Sequence, residues 1–137
     1  MSFTPPGVTP SVDFGVGVHP ACILTDFKQA KSPEKFSASV VYIATYRDTE
    51  SGAEKDDIIK FDGSKRDYYA GLRVERLHAI FGAELPPDGH HPDFKNILDL
   101  AEGIFFTVEI DETSSNGKTY LNIKDVRTNE HAERGAF

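Results

Sequence analysis

Phe36, Tyr42 and Tyr46 stand an even number of residues apart in one β-like run. A strand there puts all three on the same side, because side chains alternate with period two. Lys28, Lys31 and Lys35 cluster around the loop before that run, and Arg47 and Lys60 follow it. Further on, Lys118 and Lys124 flank Tyr120. Aromatic faces stack on bases, and lysine and arginine neutralise phosphates. Together they are what sequence-independent binding of a single nucleic-acid strand needs. The expected site is a stacking strip of Tyr42 and Tyr46, extended by Phe36 and Tyr120 and bordered by these cations. The competing account is structural, with the tyrosines as half-buried sheet residues whose hydroxyls stay wet.

Other residue groups point to less. Asp48, Glu50, Glu54, Asp56 and Asp57 make one strongly acidic loop, which repels phosphate and belongs off any nucleic-acid track. A docking site for a basic partner is the functional alternative there, and a solvated loop is the plainer reading. Asp56 and Asp57 are strand neighbours, so they point to opposite faces and do not form a carboxylate pair. His90 and His91, with Asp88 and Asp93, sit in a Pro/Gly loop. Nothing at familiar spacing completes a metal site, so the reading is a polar loop. There is no G-x-S-x-G elbow, Walker-type loop or H-E-x-x-H. No enzymatic activity, catalytic residue, cofactor or metal is therefore expected. Cys22 lies in a predicted strand and reads as buried, not reactive.

The composition sets the frame for these residues. The chain has 137 residues, 15 Lys and Arg against 22 Asp and Glu, and a formal net charge of −7. Hydrophobic residues at 39% and charged residues at 27% are globular proportions. One domain fits this length. A single cysteine excludes an intramolecular disulfide and a multi-Cys zinc cluster. No apolar run approaches a membrane span. The first ten residues have no basic region followed by an apolar stretch, so no export signal is expected, and the expected compartment is the cytoplasm. The acidic total argues against a simple basic coat of DNA. It does not argue against binding on one face, since the acids concentrate in residues 48–57, around Asp88 and Asp93, and at Asp111 and Glu112.

Several elements must position the candidate residues. Residues 1–18 read as a Pro/Gly-rich arm, residues 19–128 as the domain, and residues 129–137 as a short tail. Residues 21–28 form a short strand, and 35–47 a long one rich in Val, Ile, Tyr, Ser and Thr. Val41 and Ile43 of the long strand face the core. Residues 56–61 form a third strand. A helix follows, with Ser64 as N-cap and Asp67 in its first turn. Tyr69, Ala70, Val74, Leu77, Ile80 and Phe81 fall on its apolar stripe, and Gly82 stops it. Arg73 is the one charge inside the stripe; it pairs with a buried carboxylate or snorkels to the surface. Residues 93–101 read as a second short helix. Residues 104–111 and 119–127 form a hairpin around Asn116-Gly117. The expected fold class is therefore all-β with one or two helices. The order of five strands, with a helix between the third and fourth, is that of the OB-fold barrel. A half-open sandwich has the same order.

Residues 17–126 resemble the phage-type single-stranded DNA-binding proteins with an OB fold. The residues that carry the resemblance are Gly17-Val18-His19-Pro20-Ala21, the long second strand 35–47, and the acid-Lys-Phe-Asp strand 56–62. Leu77-His78-Ala79-Ile80-Phe81-Gly82, Gly103-Ile104-Phe105-Phe106-Thr107-Val108 and Gly117-Lys118-Thr119-Tyr120-Leu121-Asn122-Ile123 complete them. The resemblance implies a five-stranded OB barrel that coats unwound single-stranded DNA in phage replication, recombination or repair, in the host cytoplasm. A homodimer and contacts with replication or recombination proteins are further expectations. In such proteins an acidic C-terminal tail ending in an aromatic residue recruits partners. This chain ends in Phe137, but its tail carries only Glu130 and Glu133, offset by Arg134. The second expectation is an OB-fold interaction or replication accessory module that does not touch DNA.

Overall fold

The computed structural model describes residues 14–84 and 92–129. Five strands form one open antiparallel sheet: β1 (Gly17–Gln29), β2 (Val40–Asp48), β3 (Glu54–Phe61), β4 (Phe106–Ser115) and β5 (Lys118–Thr128). Their order across the sheet is β3-β2-β1-β4-β5. Two helices, α1 (Asp67–Phe81) and α2 (Phe94–Ala101), lie between β3 and β4 in the chain. A 3-10 turn spans Pro33–Phe36. The expectation of a β-rich fold with one or two helices matches this arrangement. β3 and β5 are the two sheet edges, with no ladder between them among the described residues.

β1 divides its two halves between neighbours. Its first half pairs with β4 from Gly17 to Cys22, and its second half pairs with β2 from Cys22 to Gln29. The register with β4 shifts between His19 and Cys22, and Pro20 sits in that shift. Proline has no N–H to give a ladder, so an interruption is where a strand tolerates it. The strand is thus longer than expected and absorbs the end of the predicted arm. Phe14 is 1% exposed and packs edge-on against the His19 ring at 4.8 Å. The packed domain therefore includes residues assigned above to the arm; residues 1–13 lie outside the described ones.

β2 starts at Val40, not at residue 35. Ser32-Pro33 opens the 3-10 turn, and Ser37 adopts a left-handed conformation at its end. Lys35 and Phe36 are thereby removed from the strand. The core face of β2 carries Tyr42, Ala44 and Tyr46. Opposite them lie Ile59 and Asp57 on β3, and Phe27 and Leu24 on β1.

α1 starts at Asp67, two residues later than a Ser64 cap implies. The Asp67 carboxylate accepts from the backbone N–H of Asp62 (2.9 Å) and Gly63 (3.0 Å), which ties the helix to the end of β3. Val74, Leu77, His78 and Phe81 are buried, and each buried apolar side chain contributes roughly 1.5–3 kcal/mol. Gly82 ends the helix at φ 68°, where the N–H of Ala83 reaches the carbonyl of His78 at 2.8 Å. α2 is capped by Asp93, whose side chain accepts from the N–H of Asn96. Asp93 is thus a cap; Asp88, His90 and His91 lie outside the described residues. Asn116 (φ 53°) and Gly117 (φ 77°) form the two-residue turn between β4 and β5, the left-handed pair this type of hairpin requires.

Candidate nucleic-acid interface

Tyr42 and Tyr46 are core residues, which overturns the expected stacking strip. Tyr46 is 0% exposed and Tyr42 is 4% exposed. Tyr42 meets Phe61 and Phe94 edge-on, and Tyr46 meets Phe106. Neither ring face is open to a base. For Tyr46 the physical reason is a partner for the polar tip: its hydroxyl donates to Asp57 Oδ2 at 3.0 Å. Burial raises the phenol well above its usual range, and the adjacent carboxylate adds to the rise.

Asp57 anchors a buried chain of polar groups. Arg73 Nη1 donates to its Oδ1 at 2.6 Å, and Arg73 Nη2 donates to the carbonyl of Ile123 at 3.5 Å. Burial pushes the Asp57 carboxyl up, and Arg73 opposes that push. Arg73 on α1 therefore ties β3 to β5 across the gap between the sheet edges. This is the buried-carboxylate pairing that its place in the apolar stripe suggested.

The opposite face of β1-β2-β3 is graded in charge. Glu54 and Asp56 stand at one end of β3, with Ile58 and Lys60 at the other. Lys28 lies across from Ile43, and Ile43 across from Ile58. Directly opposed residues share a face, so Lys28, Ile43 and Ile58 form one cross-strand row. Lys60 lies across from Val41 in the next row. Lys31 and Lys35 are exposed beside that end. Phe36 is half-buried in the 3-10 turn. Arg47 is at the acidic end, 3.5 Å from Glu54. Asp48 and Asp57, counted above with the acidic loop, are both buried. Asp48 lies 2.9 Å from His19 Nδ1 and accepts from the N–H of Glu50. Only Glu50, Glu54 and Asp56 of that group face solvent.

The row continues past the β3 edge to a residue that the sequence pattern misplaced. Tyr69 was assigned to the buried stripe of α1, yet it is 70% exposed. It lines a hollow of about 150 Å³ with Ile58, Lys60 and Arg73. It also lines a second hollow, of about 160 Å³, between α1 and β5. Leu72, Arg73, Arg76, Ile123 and Lys124 share that second one. Tyr68 is exposed beside it, with the two rings edge-to-face at 5.4 Å. Two adjacent helical residues cannot both face one core, so the Tyr68-Tyr69 pair marks at least one exposed ring; the structure exposes both.

The cations here are partly compensated. Arg76 pairs with Asp125, and Lys124 lies 3.4 Å from Glu109. Arg127 bonds both of these carboxylates at 3.0 Å. Hydrogen bonds from Arg127 and Lys124 hold Glu109 below its usual range. Lys118 and Tyr120 lie near the hairpin tip, apart from these hollows, and Tyr120 is half exposed. Phe137 lies outside the described residues. Among the described residues no cluster of three or more His, Cys, Asp or Glu is arranged to hold a metal, and no helix is long and apolar enough to cross a membrane. No protein-family model and no curated protein matches the chain.

Proposed function

We propose that the protein binds single-stranded DNA without reading its sequence, through a partly open, OB-like five-stranded sheet. The strand would run from Lys28 over Ile43, Ile58 and Lys60 to Tyr69, and on to Arg73, Arg76 and Lys124. The observation that carries this reading is Tyr69: an exposed ring that shares one hollow with Lys60 and the other with Arg73, Arg76 and Lys124. Aromatic surface beside cations is what non-specific single-strand binding requires. The five-strand, one-sheet order with β1 shared between β2 and β4 suits a partly open barrel. Acidic residues cluster at the other end of β3, which limits adhesion of duplex. The biological setting that fits is the handling of unwound strands in replication, recombination or repair, as in the phage proteins the sequence resembles.

The test is a titration of fluorescent oligo-dT and of duplex DNA at low and moderate salt. Single strand alone binds, with log K falling by about 0.7 per tenfold rise in salt for each neutralised phosphate. Lys28→Ala with Lys60→Ala weakens binding and flattens that slope. No binding at low salt overturns the reading. That result favours the second reading, an interaction module that does not touch DNA, which the compensated charges of β4 and β5 would suit.

A further inference from the structure

The two hollows on either side of Tyr69 have nearly equal volumes, about 160 and 150 Å³. Each is well under the ~300 Å³ at which pockets for drug-sized ligands begin, so each suits a single ring system. They share two side chains, Tyr69 and Arg73. Both have apolar walls for a ring, Ile58 in one and Leu72 with Ile123 in the other. Both have a cation in their lining besides Arg73, Lys60 in one and, in the other, Lys124 and an Arg76 that pairs with Asp125.

Arg73 stands at the boundary. A guanidinium carries five N–H donors. Two serve Asp57 and the Ile123 carbonyl, one from each terminal nitrogen. The side chain remains 36% exposed, so donors are left for a ligand. Asp57 fixes the guanidinium in place before any ligand arrives, and an ordered fork is the geometry that phosphate oxygens match.

We propose that this site takes one dinucleotide step of a single strand. One base enters each hollow, with the Tyr69 ring between them, and the phosphate that joins the two nucleotides sits on Arg73. The proposal rests on the nucleic-acid reading above and adds the unit of recognition, a base-phosphate-base step. A mononucleotide satisfies only half of it.

The test is competition against a labelled oligo-dT bound to the full chain. The competitors are thymidine 5′-monophosphate, the dinucleotide pTpT, the tetranucleotide, and a dinucleotide with one abasic sugar. The expected result is a step: pTpT competes about tenfold better than the mononucleotide, in line with one more stacked base. The abasic dinucleotide falls back to the mononucleotide level, and the tetranucleotide gains less per added residue than that step. Tyr69→Ala abolishes the step and Tyr69→Phe keeps it. Arg73→Lys retains a positive partner for Asp57 but loses the fork, so it weakens pTpT and the monophosphate alike, about tenfold, and leaves the step between them in place. Circular dichroism and thermal melting of each variant separate loss of the site from loss of the fold. A smooth rise of affinity with length, or a step that survives Tyr69→Ala, overturns the dinucleotide site while leaving single-strand binding intact. Failure of oligo-dT itself to bind overturns both.

Discussion

Arg73 on α1 reaches Asp57 on β3 at 2.6 Å, and the same guanidinium holds the Ile123 carbonyl of β5. The sheet edges are thus linked by one side chain where a closed barrel would have a ladder. Asp57 is almost fully buried and also accepts from Tyr46. Removing one partner of a buried pair leaves an uncompensated charge, at a cost of 3–5 kcal/mol in typical cases. Arg73 is partly solvated, so the lower end applies: Arg73→Met should destabilise by ~3 kcal/mol. Adding Asp57→Asn should recover a large part of that loss. Urea denaturation of both variants checks this, and equal losses in the single and double variants would show that the pair is not coupled.

Tyr46 gives the fold an alkaline weakness. Its folded-state phenol is raised well above 10, mainly by burial. The unfolded chain therefore loses this proton at a lower pH than the folded one. Stability from Tyr46 is fully present below pH ~10 and is lost as pH rises from there toward the folded value. Tyr46→Phe removes the titration and should flatten stability against pH in that window. It also takes a donor from Asp57, so its stability at neutral pH drops by about 1–2 kcal/mol. Chemical denaturation between pH 8 and 11 distinguishes the two curves.

Cys22 should be silent in the native state. Burial pushes its thiol up to about 12, and the neighbouring Asp48 adds to the rise. The reactive species is the thiolate, so a disulfide-exchange reagent at pH 8 should label the folded protein only as fast as it opens. In denaturant the reaction completes at the rate of an ordinary thiol. Rapid labelling of the folded chain would contradict the packing around Cys22.

The same residues show how far sequence carries. Hydrophobic periodicity located all five strands and both helices, and Asn116-Gly117 marked the hairpin because few residues accept positive φ. Period two also grouped Tyr42 with Tyr46 correctly. It puts the core on the side of Val41 and Ile43, which is apolar as well; Val41 is indeed buried, but the main core lies on the side of Tyr42 and Tyr46. What decides is Asp57, thirteen residues after Ala44 and directly across from it, which supplies the tyrosine hydroxyl with an acceptor. That is a tertiary fact. Tyr69 failed for the opposite reason: an apolar ring at helical spacing was read as buried, although α1 turns it past the edge of β3. The lysines fared better because an exposed cation stays exposed in almost any fold, and the structure collected Lys28 and Lys60 on one face.

Substitutions at two tyrosines separate folding from binding. Tyr46→Ala empties a fully buried site and strips Asp57 of a donor, so it should cost about 4 kcal/mol, within the range for large aromatic truncations in a core. Tyr69→Ala removes an exposed ring and should change stability by no more than ~0.5 kcal/mol. Binding follows the reverse order under the proposed track. Tyr69→Ala weakens oligo-dT by one stacking interaction, ~1–3 kcal/mol. Whatever Tyr46→Ala does to binding tracks the fraction of unfolded chain and disappears when the measurement is corrected for it. Paired melting curves and titrations on the two variants check this, and a Tyr46→Ala protein that is fully folded yet cannot bind would return the stacking surface to β2.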